Sequence, residues 1–190
     1  MSSETPRKPE DGRDKSIREI VRGIYQIRAP LSEDQTVPLP YVNVYLVEGT
    51  HGWFLIDTGW SSPGSLEFMN TTLSSLGLSL KDISTIIITH CHPDHFGLAG
   101  KIKHLSPRIQ ILMHRWELNL MESRYIRFSE PQEKMSILLI NHGVPVNLIG
   151  DLEMAFMPAL ELVTITDPDH ILYSGEIIDT GIYQLEAIWT

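Results

Sequence analysis

The sequence predicts an α/β domain, because short apolar runs typical of strands alternate with segments that have helical spacing. The run at 83–88, Ile-Ser-Thr-Ile-Ile-Ile, has the β-branched composition of a buried strand, whereas apolar residues recur every three or four positions in 65–76. The chain has 190 residues, of which 42% are hydrophobic, so it is long enough to bury a core. Composition by itself indicates no more than this α/β class.

The order of the predicted elements follows from local composition and spacing. We predict strands at 20–27, 41–48, 53–57, 83–88 and 108–113, helices at 65–76, 98–105, 116–125, 130–140 and 145–157, and short strands within 170–189. The turn 49–52 joins two strands into a hairpin and makes His51 a turn residue. Residues 29–40 contain three prolines and two acids and are predicted to be a loop. The charged residues 1–17 predict a disordered tail, which leaves 18–190 as one domain.

Charge and cysteine usage restrict the kind of partner. The formal net charge is −9, so binding to nucleic acid or to an anionic membrane is not expected, and a small-molecule substrate is the better hypothesis. Lys101, Lys103 and His104 are interpreted as a solvated helix face. The single cysteine, Cys91, excludes an internal disulfide and favours a reducing, cytoplasmic setting. Residues 1–15 lack an apolar segment, so neither a secretory signal nor a membrane anchor is expected.

The segment most informative about function is 89–97, Thr-His-Cys-His-Pro-Asp-His-Phe-Gly, directly after the predicted strand 83–88. Three imidazoles and one carboxylate this close together predict a metal site, because these nitrogen and oxygen ligands suit Zn²⁺, Fe or Mn. Side chains alternate along an extended chain, so His90 and His92 point to the same side and can share one ion. Cys91 then points away, and we interpret it as a small packed residue.

The second half of the segment faces another direction. Pro93 fixes the chain at a turn and Gly97 lets it change course, so Asp94 and His95 can face a neighbouring ion. One ion and two ions are both compatible with this geometry. Ligands at the carboxyl end of a strand border an open crevice in α/β proteins, which favours a catalytic over a structural metal.

The pattern His90-x-His92-x-Asp94-His95 resembles the signature of the metallo-β-lactamase superfamily of metallohydrolases. The resemblance extends upstream to 41–47 and to 54–59, which contains the "IDTG" turn of that family. It covers roughly residues 18–190. The resemblance implies an αββα sandwich with two mixed sheets between helix layers.

The resemblance also implies how the residues act. His90 and His92 would hold the first ion, and Asp94 and His95 the second, with two Zn²⁺ per complete site and Fe or Mn as alternatives. Asp94 is the catalytic candidate, since it would also orient the attacking water or accept its proton. A metal-bound hydroxide would then hydrolyse a small ester, thioester or lactone. Asp57 either accepts the second N–H of a ligating histidine or caps its own turn, and the sequence leaves both readings open.

The sequence departs from the family after the first ligands. The family's third histidine, its bridging aspartate and its last histidine are not visible, and 185–190 is similar to the strand that leads into the third-histidine segment. We therefore expect this chain to be an amino-terminal fragment, an αββα sandwich whose carboxyl-terminal part is missing. Such a fragment should be nearly inactive. The alternative is a non-catalytic half-domain that binds metal weakly or needs a completing segment. His114 follows a predicted strand and is interpreted as a surface residue or a support for a ligand, not as a ligand itself.

Overall fold

The computed structural model describes residues 16–31, 39–127, 129–156 and 160–190. The strands are β1 (Ile17–Val21), β2 (Ile24–Pro30), β3 (Tyr41–Val47), β4 (Trp53–Ile56), β5 (Ile83–Ile88), β6 (Gln110–His114), β7 (His170–Leu172), β8 (Ile177–Asp179) and β9 (Gln184–Glu186). The α-helices are α1 (Ser65–Ser75), α2 (Pro93–Phe96), α3 (Ala99–Leu105), α4 (Arg115–Met121), α5 (Ser129–Asn141) and α6 (Val146–Phe156). The predicted disordered tail, as far as residue 15, and most of the predicted loop lie outside the described residues.

Strands β1 to β7 form one sheet in which the spatial order is the order along the chain. The first four strands pair antiparallel with one another, and β4 to β7 pair parallel. Parallel neighbours need a crossover, and the helices supply the crossovers between these strands. Strands β8 and β9 form a separate antiparallel hairpin. This mixed α/β architecture is the predicted class.

Most predicted elements are confirmed, with boundaries shifted by no more than four residues. The hairpin of β3 and β4 across the turn 49–52 is present, and so are the predicted short strands in 170–189. The prediction of one strand at 20–27 is wrong, because Gly23 takes a positive φ of 72° and turns the chain between β1 and β2. The start of the predicted loop is also wrong, since Ala29 and Pro30 still belong to β2.

The two faces of the seven-stranded sheet carry separate apolar clusters. One face packs under the helices and buries residues such as Leu55, Ile86 and Ile111, each with no exposed surface. The other face has a small cluster of Ile87, Leu112 and Leu172, against which the β8–β9 hairpin packs. We call these the helix face and the hairpin face. None of the described helices combines the length and the apolar composition needed to cross a membrane.

Candidate metal centre

The histidine-rich segment 89–97 leaves the carboxyl end of β5 and enters α2. His90 and His92 lie on one side of the chain, with ring centroids 4.8 Å apart, and the ring of His95 lies 4.0 Å from that of His90. Asp94 Oδ2 is 3.4 Å from His95 Nε2. The structure therefore brings the four predicted ligands into one cluster, and their role as metal ligands stays a prediction.

Cys91 points the opposite way, into the core of the helix face, and is 4% exposed. Burial, reinforced by the negative charge of Glu117, raises the pKa of the thiol to about 12. The thiol thus stays protonated at neutral pH. Because only the thiolate is a good metal ligand, Cys91 is not expected to bind a metal. This position agrees with the interpretation of Cys91 as a packed residue.

Asp57 organises the cluster from the end of β4. It adopts a positive φ of 63°, a conformation that Asp and Asn tolerate better than most residues, and it is 3% exposed. Its Oδ1 accepts a hydrogen bond from Thr89 N at 2.8 Å. Its Oδ2 accepts one from Thr89 Oγ1 at 2.7 Å and lies 2.7 Å from His95 Nδ1. Of the two readings that the sequence left open, the structure shows the bond to a histidine.

The same carboxylate orients His90 through the hydroxyl of Thr89. The one hydroxyl proton of Thr89 goes to Asp57 Oδ2, so the 3.0 Å contact of Thr89 Oγ1 with His90 Nδ1 requires His90 to donate. His90 Nε2 is then the ring nitrogen that keeps a lone pair, as a metal ligand must. Asp57 therefore orients two imidazoles, one directly and one through a hydroxyl.

The backbone of the segment is fixed by close contacts with neighbouring loops. Thr58 N donates to His95 O at 2.8 Å, and Thr164 N donates to Gly97 O at 2.8 Å. A Cβ at Gly97 would collide with backbone oxygens of the surrounding segments. Glycine is needed here because the chain approaches its neighbours too closely for any side chain.

Partial desolvation favours the neutral form of the first two histidines. Desolvation, helped by the neighbouring imidazoles, lowers the pKa of His90. Desolvation together with the Arg124 guanidinium lowers the pKa of His92. Imidazoles bind metals in the neutral form, so both rings are ready to act as ligands at neutral pH.

His95 differs because it lies between two carboxylates. Desolvation opposes its charge, but the hydrogen bonds with Asp57 and Asp94 outweigh that effect and raise the pKa of His95 to about 9. The hydrogen bond with His95 is also the main cause that lowers the pKa of Asp94. His95 would therefore coordinate a metal only after its Nε2 proton leaves.

The donor set fits a divalent metal, since it offers neutral imidazole nitrogens and a carboxylate on one side of a loop at a strand end. As the side chains stand, however, the part of the chain that the structure describes contains no group of three or more His, Cys, Asp or Glu side chains with metal-binding geometry. The four residues thus suit a divalent metal by their chemistry and lie in one cluster, but as they stand they are not arranged around a common point.

Two further polar residues contact the segment, and the sequence did not point to either as part of a site. Glu117 in the first turn of α4 and Tyr125 beyond it are each 5% exposed, and both bond to the backbone of Cys91. A glutamate in the first turn of a helix is ordinarily a solvated residue that favours the helix dipole. Its burial depends on packing across the sheet, which local sequence does not reveal.

A cleft of about 750 Å³ opens beside His90, between the hairpin face and the β8–β9 hairpin. His114 and Trp189 stand in its wall, with their rings stacked 4.9 Å apart at 20°. His114 Nδ1 also accepts a hydrogen bond from Trp116 N at 3.3 Å and so caps α4. This arrangement fits the interpretation of His114 as a residue that does not itself hold a metal.

Comparison with known proteins agrees with this fold. The sequence model of the metallo-beta-lactamase superfamily matches residues 37–183. A curated relative, "Probable metallo-hydrolase YqjP" of Bacillus subtilis (strain 168), is 33% identical over 113 residues, which are 57% of this chain and 34% of that protein.

Solved structures are also similar to this chain in fold. A metallo-beta-lactamase family protein from Thermus thermophilus is 27% identical with a TM-score of 0.67, over 90% of this chain and 53% of that one. BJP-1, a subclass B3 metallo-beta-lactamase of Bradyrhizobium japonicum, is 19% identical with a TM-score of 0.61, over 91% of this chain and 51% of that one, and shows likeness of fold alone. This chain spans about half the length of these two structures.

The fold is thus the mixed α/β fold of the solved metallo-beta-lactamase structures, and the histidine cluster of this chain lies at the carboxyl end of a parallel strand. The chain belongs to the metallo-β-lactamase superfamily.

Proposed function

We propose that this chain forms the metal-binding part of a hydrolase that acts on a small ester, thioester or lactone. The observation that carries the proposal is the clustering of His90, His92 and His95 beside Asp94, with two of the rings oriented by one buried carboxylate. Membership of the superfamily and the likeness to a relative named as a metallo-hydrolase support a hydrolytic reaction. Zn²⁺ is the proposed ion, two per complete site, with Fe or Mn as alternatives.

Each residue has a distinct part in the proposal. His90 and His92 would hold the first ion, and Asp94 and His95 the second. A divalent ion bound there would lower the pKa of a coordinated water to about 7 and polarise the carbonyl under attack. Asp94 would accept the proton of the attacking water at Oδ2, the oxygen that faces His95. Asp57 would keep His95 in place by holding its Nδ1 proton.

The proposed substrate and setting follow from charge and shape. The net charge of −9 disfavours nucleic acid and anionic membranes as partners. The cleft beside His90 has the volume of a small-molecule site. We propose a cytoplasmic setting, supported by the single, buried cysteine.

The test compares metal content and turnover in two forms of the chain. One form is the 190-residue chain, and the other is extended to carry the family's third histidine, bridging aspartate and last histidine. We expect weak metal binding and little turnover from the first, since a catalytic zinc normally has three protein ligands. The extended form should hydrolyse members of an ester, thioester and lactone panel in the presence of Zn²⁺, Fe or Mn.

His92→Ala in the extended form should abolish most turnover and lower its metal content. His51→Ala is the matched control, because His51 is an exposed turn residue and its loss should change neither quantity. Substantial metal-dependent turnover by the short form, or full activity of the His92→Ala extended form, would contradict the proposal. An extended form that binds metal but hydrolyses nothing would favour a non-catalytic domain.

A further inference from the structure

The peptide groups on either side of Cys91 are held by two side chains from a single helical segment. Glu117 Oε2 accepts a hydrogen bond from Cys91 N at 2.8 Å. The hydroxyl of Tyr125 donates a hydrogen bond to Cys91 O at 2.6 Å. Cys91, Glu117 and Tyr125 are 4%, 5% and 5% exposed, so these bonds are largely shielded from water.

The position of Cys91 gives these bonds a consequence for its neighbours. Its N–H belongs to the peptide plane shared with His90, and its C=O belongs to the plane shared with His92. Each plane is rigid, so fixing it holds one side of the ψ torsion of His90 and one side of the φ torsion of His92. These two torsions help to decide where each Cβ points, and therefore where each imidazole can reach.

The helical segment is shaped to present both side chains together. Eight residues separate Glu117 from Tyr125, and an uninterrupted α-helix would rotate the second about 80° from the first. The chain instead changes from α4 to a π-helical turn at Glu122–Ile126. A wider turn removes part of that rotation, and such turns occur frequently at functional sites.

We propose that Glu117 and Tyr125 are positioning residues that clamp the Cys91 backbone and so aim His90 and His92 at one divalent cation. This inference rests on the proposed function, because it takes those two histidines as ligands. The clamp needs a hydrogen-bond acceptor at 117 and a donor at 125. It does not need a charge at either position.

The test is titration of the 190-residue chain with Co²⁺ alone, following its visible absorption and its dissociation constant. Glu117→Leu removes the acceptor and should weaken Co²⁺ binding about 10–100-fold, the usual cost of losing a partner that orients ligands. It should also change the visible spectrum, because the ligands no longer converge in the same geometry. Tyr125→Phe removes only the hydroxyl and should act in the same direction with a smaller effect.

Two controls separate the clamp from charge and from general instability. Glu117→Gln keeps an acceptor oxygen. Its dissociation constant for Co²⁺ should therefore stay within about threefold of that of the unaltered chain, and its visible spectrum should be unchanged. If Glu117→Gln loses as much affinity as Glu117→Leu, charge and not the hydrogen bond is responsible, and the clamp is wrong. Leu73→Ala empties a fully buried site on α1 and should lower stability without changing the spectrum of the folded protein.

The histidine variants distinguish failure of the clamp from failure of the proposed function. His90→Ala and His92→Ala should each lose Co²⁺ binding. If they bind normally, the ligand assignment fails and the clamp fails with it. If they lose binding while Glu117→Leu and Tyr125→Phe keep full affinity and an unchanged spectrum, only the clamp is overturned. Should Glu117→Leu fail to fold, Tyr125→Phe decides the question.

Discussion

The two faces of the large sheet differ in how completely they are covered. On the helix face, side chains from α1 and α3 seal β-strand residues such as Ile86, which has no exposed surface. On the hairpin face, the short β8–β9 hairpin covers only a small cluster, and a cleft of about 750 Å³ remains beside it. One face is a close-packed core, and the other is partly open.

The histidine segment follows the carboxyl end of β5, and its side chains reach both faces of the sheet. Cys91 is anchored in the core of the helix face, while His90 lines the cleft on the other side. A ligand must be both held rigidly and reachable by substrate, and a single loop achieves this by pointing alternate side chains in opposite directions. The sealed face thus supplies rigidity to ligands that the open face leaves accessible.

The largest expected difference comes from two neighbouring isoleucines on β5. Ile86→Ala should lower the free energy of unfolding by about 4 kcal/mol, because it leaves an enclosed cavity in the helix face. Ile87→Ala should cost only about 2 kcal/mol, because Ile87 is 8% exposed and already borders the cleft. Urea denaturation of both variants measures the two values. Equal losses would show that the hairpin face is as well packed as the helix face.

A second prediction concerns local opening of the β8–β9 hairpin. Leu185 packs on the small cluster of the hairpin face, so Leu185→Ala should lower hydrogen-exchange protection in the hairpin about tenfold, a local loss of about 1.4 kcal/mol. Protection in β5 should not change. Gln184→Ala, at an exposed position on the same strand, is the control. Uniform loss of protection across both sheets would mean that the hairpin does not open by itself.

The smallest effect is expected at an ion pair between the start of β7 and α3. Desolvation raises the pKa of Asp169, but hydrogen bonds from Lys103 Nζ and Ile111 N outweigh it and leave that pKa below the ordinary 3.8. The carboxylate therefore stabilises the fold above pH 3.8, and this contribution is lost as the pH falls through the lowered pKa. The side chain of Asp169 is 29% exposed, so we expect no more than about 1 kcal/mol.

Asp169→Asn should accordingly lower the midpoint of urea unfolding at pH 7, and the difference from the unaltered chain should shrink at and below pH 4. Asp167→Asn, at an exposed position two residues earlier, should have no effect at either pH. A difference that persists undiminished in acid would assign the effect to the geometry of the loop, not to the charge.

Local patterns were sufficient to predict most of the fold. The β-branched run of β5, the helical spacing of α1 and the alternation around Cys91 are each decided within a few residues, so the sequence shows them directly. The turn between β1 and β2 was missed because the apolar alternation continues across it. The signal that could have found it is Gly23 inside the run.

The supports of the site could be predicted only in part. A carboxylate at 57 was expected to serve a histidine or its own turn, yet the relay through Thr89 depends on two loops that meet across β4 and β5. The roles of Glu117 and Tyr125 were harder to predict, because their partner, Cys91, lies 26 and 34 residues away along the chain. Long-range hydrogen bonds leave no periodic trace in the sequence, and only the folded geometry reveals them.

The strand order of the large sheet has a consequence for how the protein can be made. Because β1 to β7 lie in the order in which they occur along the chain, each strand pairs with the strand that is synthesised just before it. The antiparallel meander of β1 to β4 needs only short loops and can assemble first, whereas β5 to β7 wait for their crossover segments. The histidine segment follows β5 directly, so Asp57, at the end of β4, precedes in the chain the imidazoles that it orients.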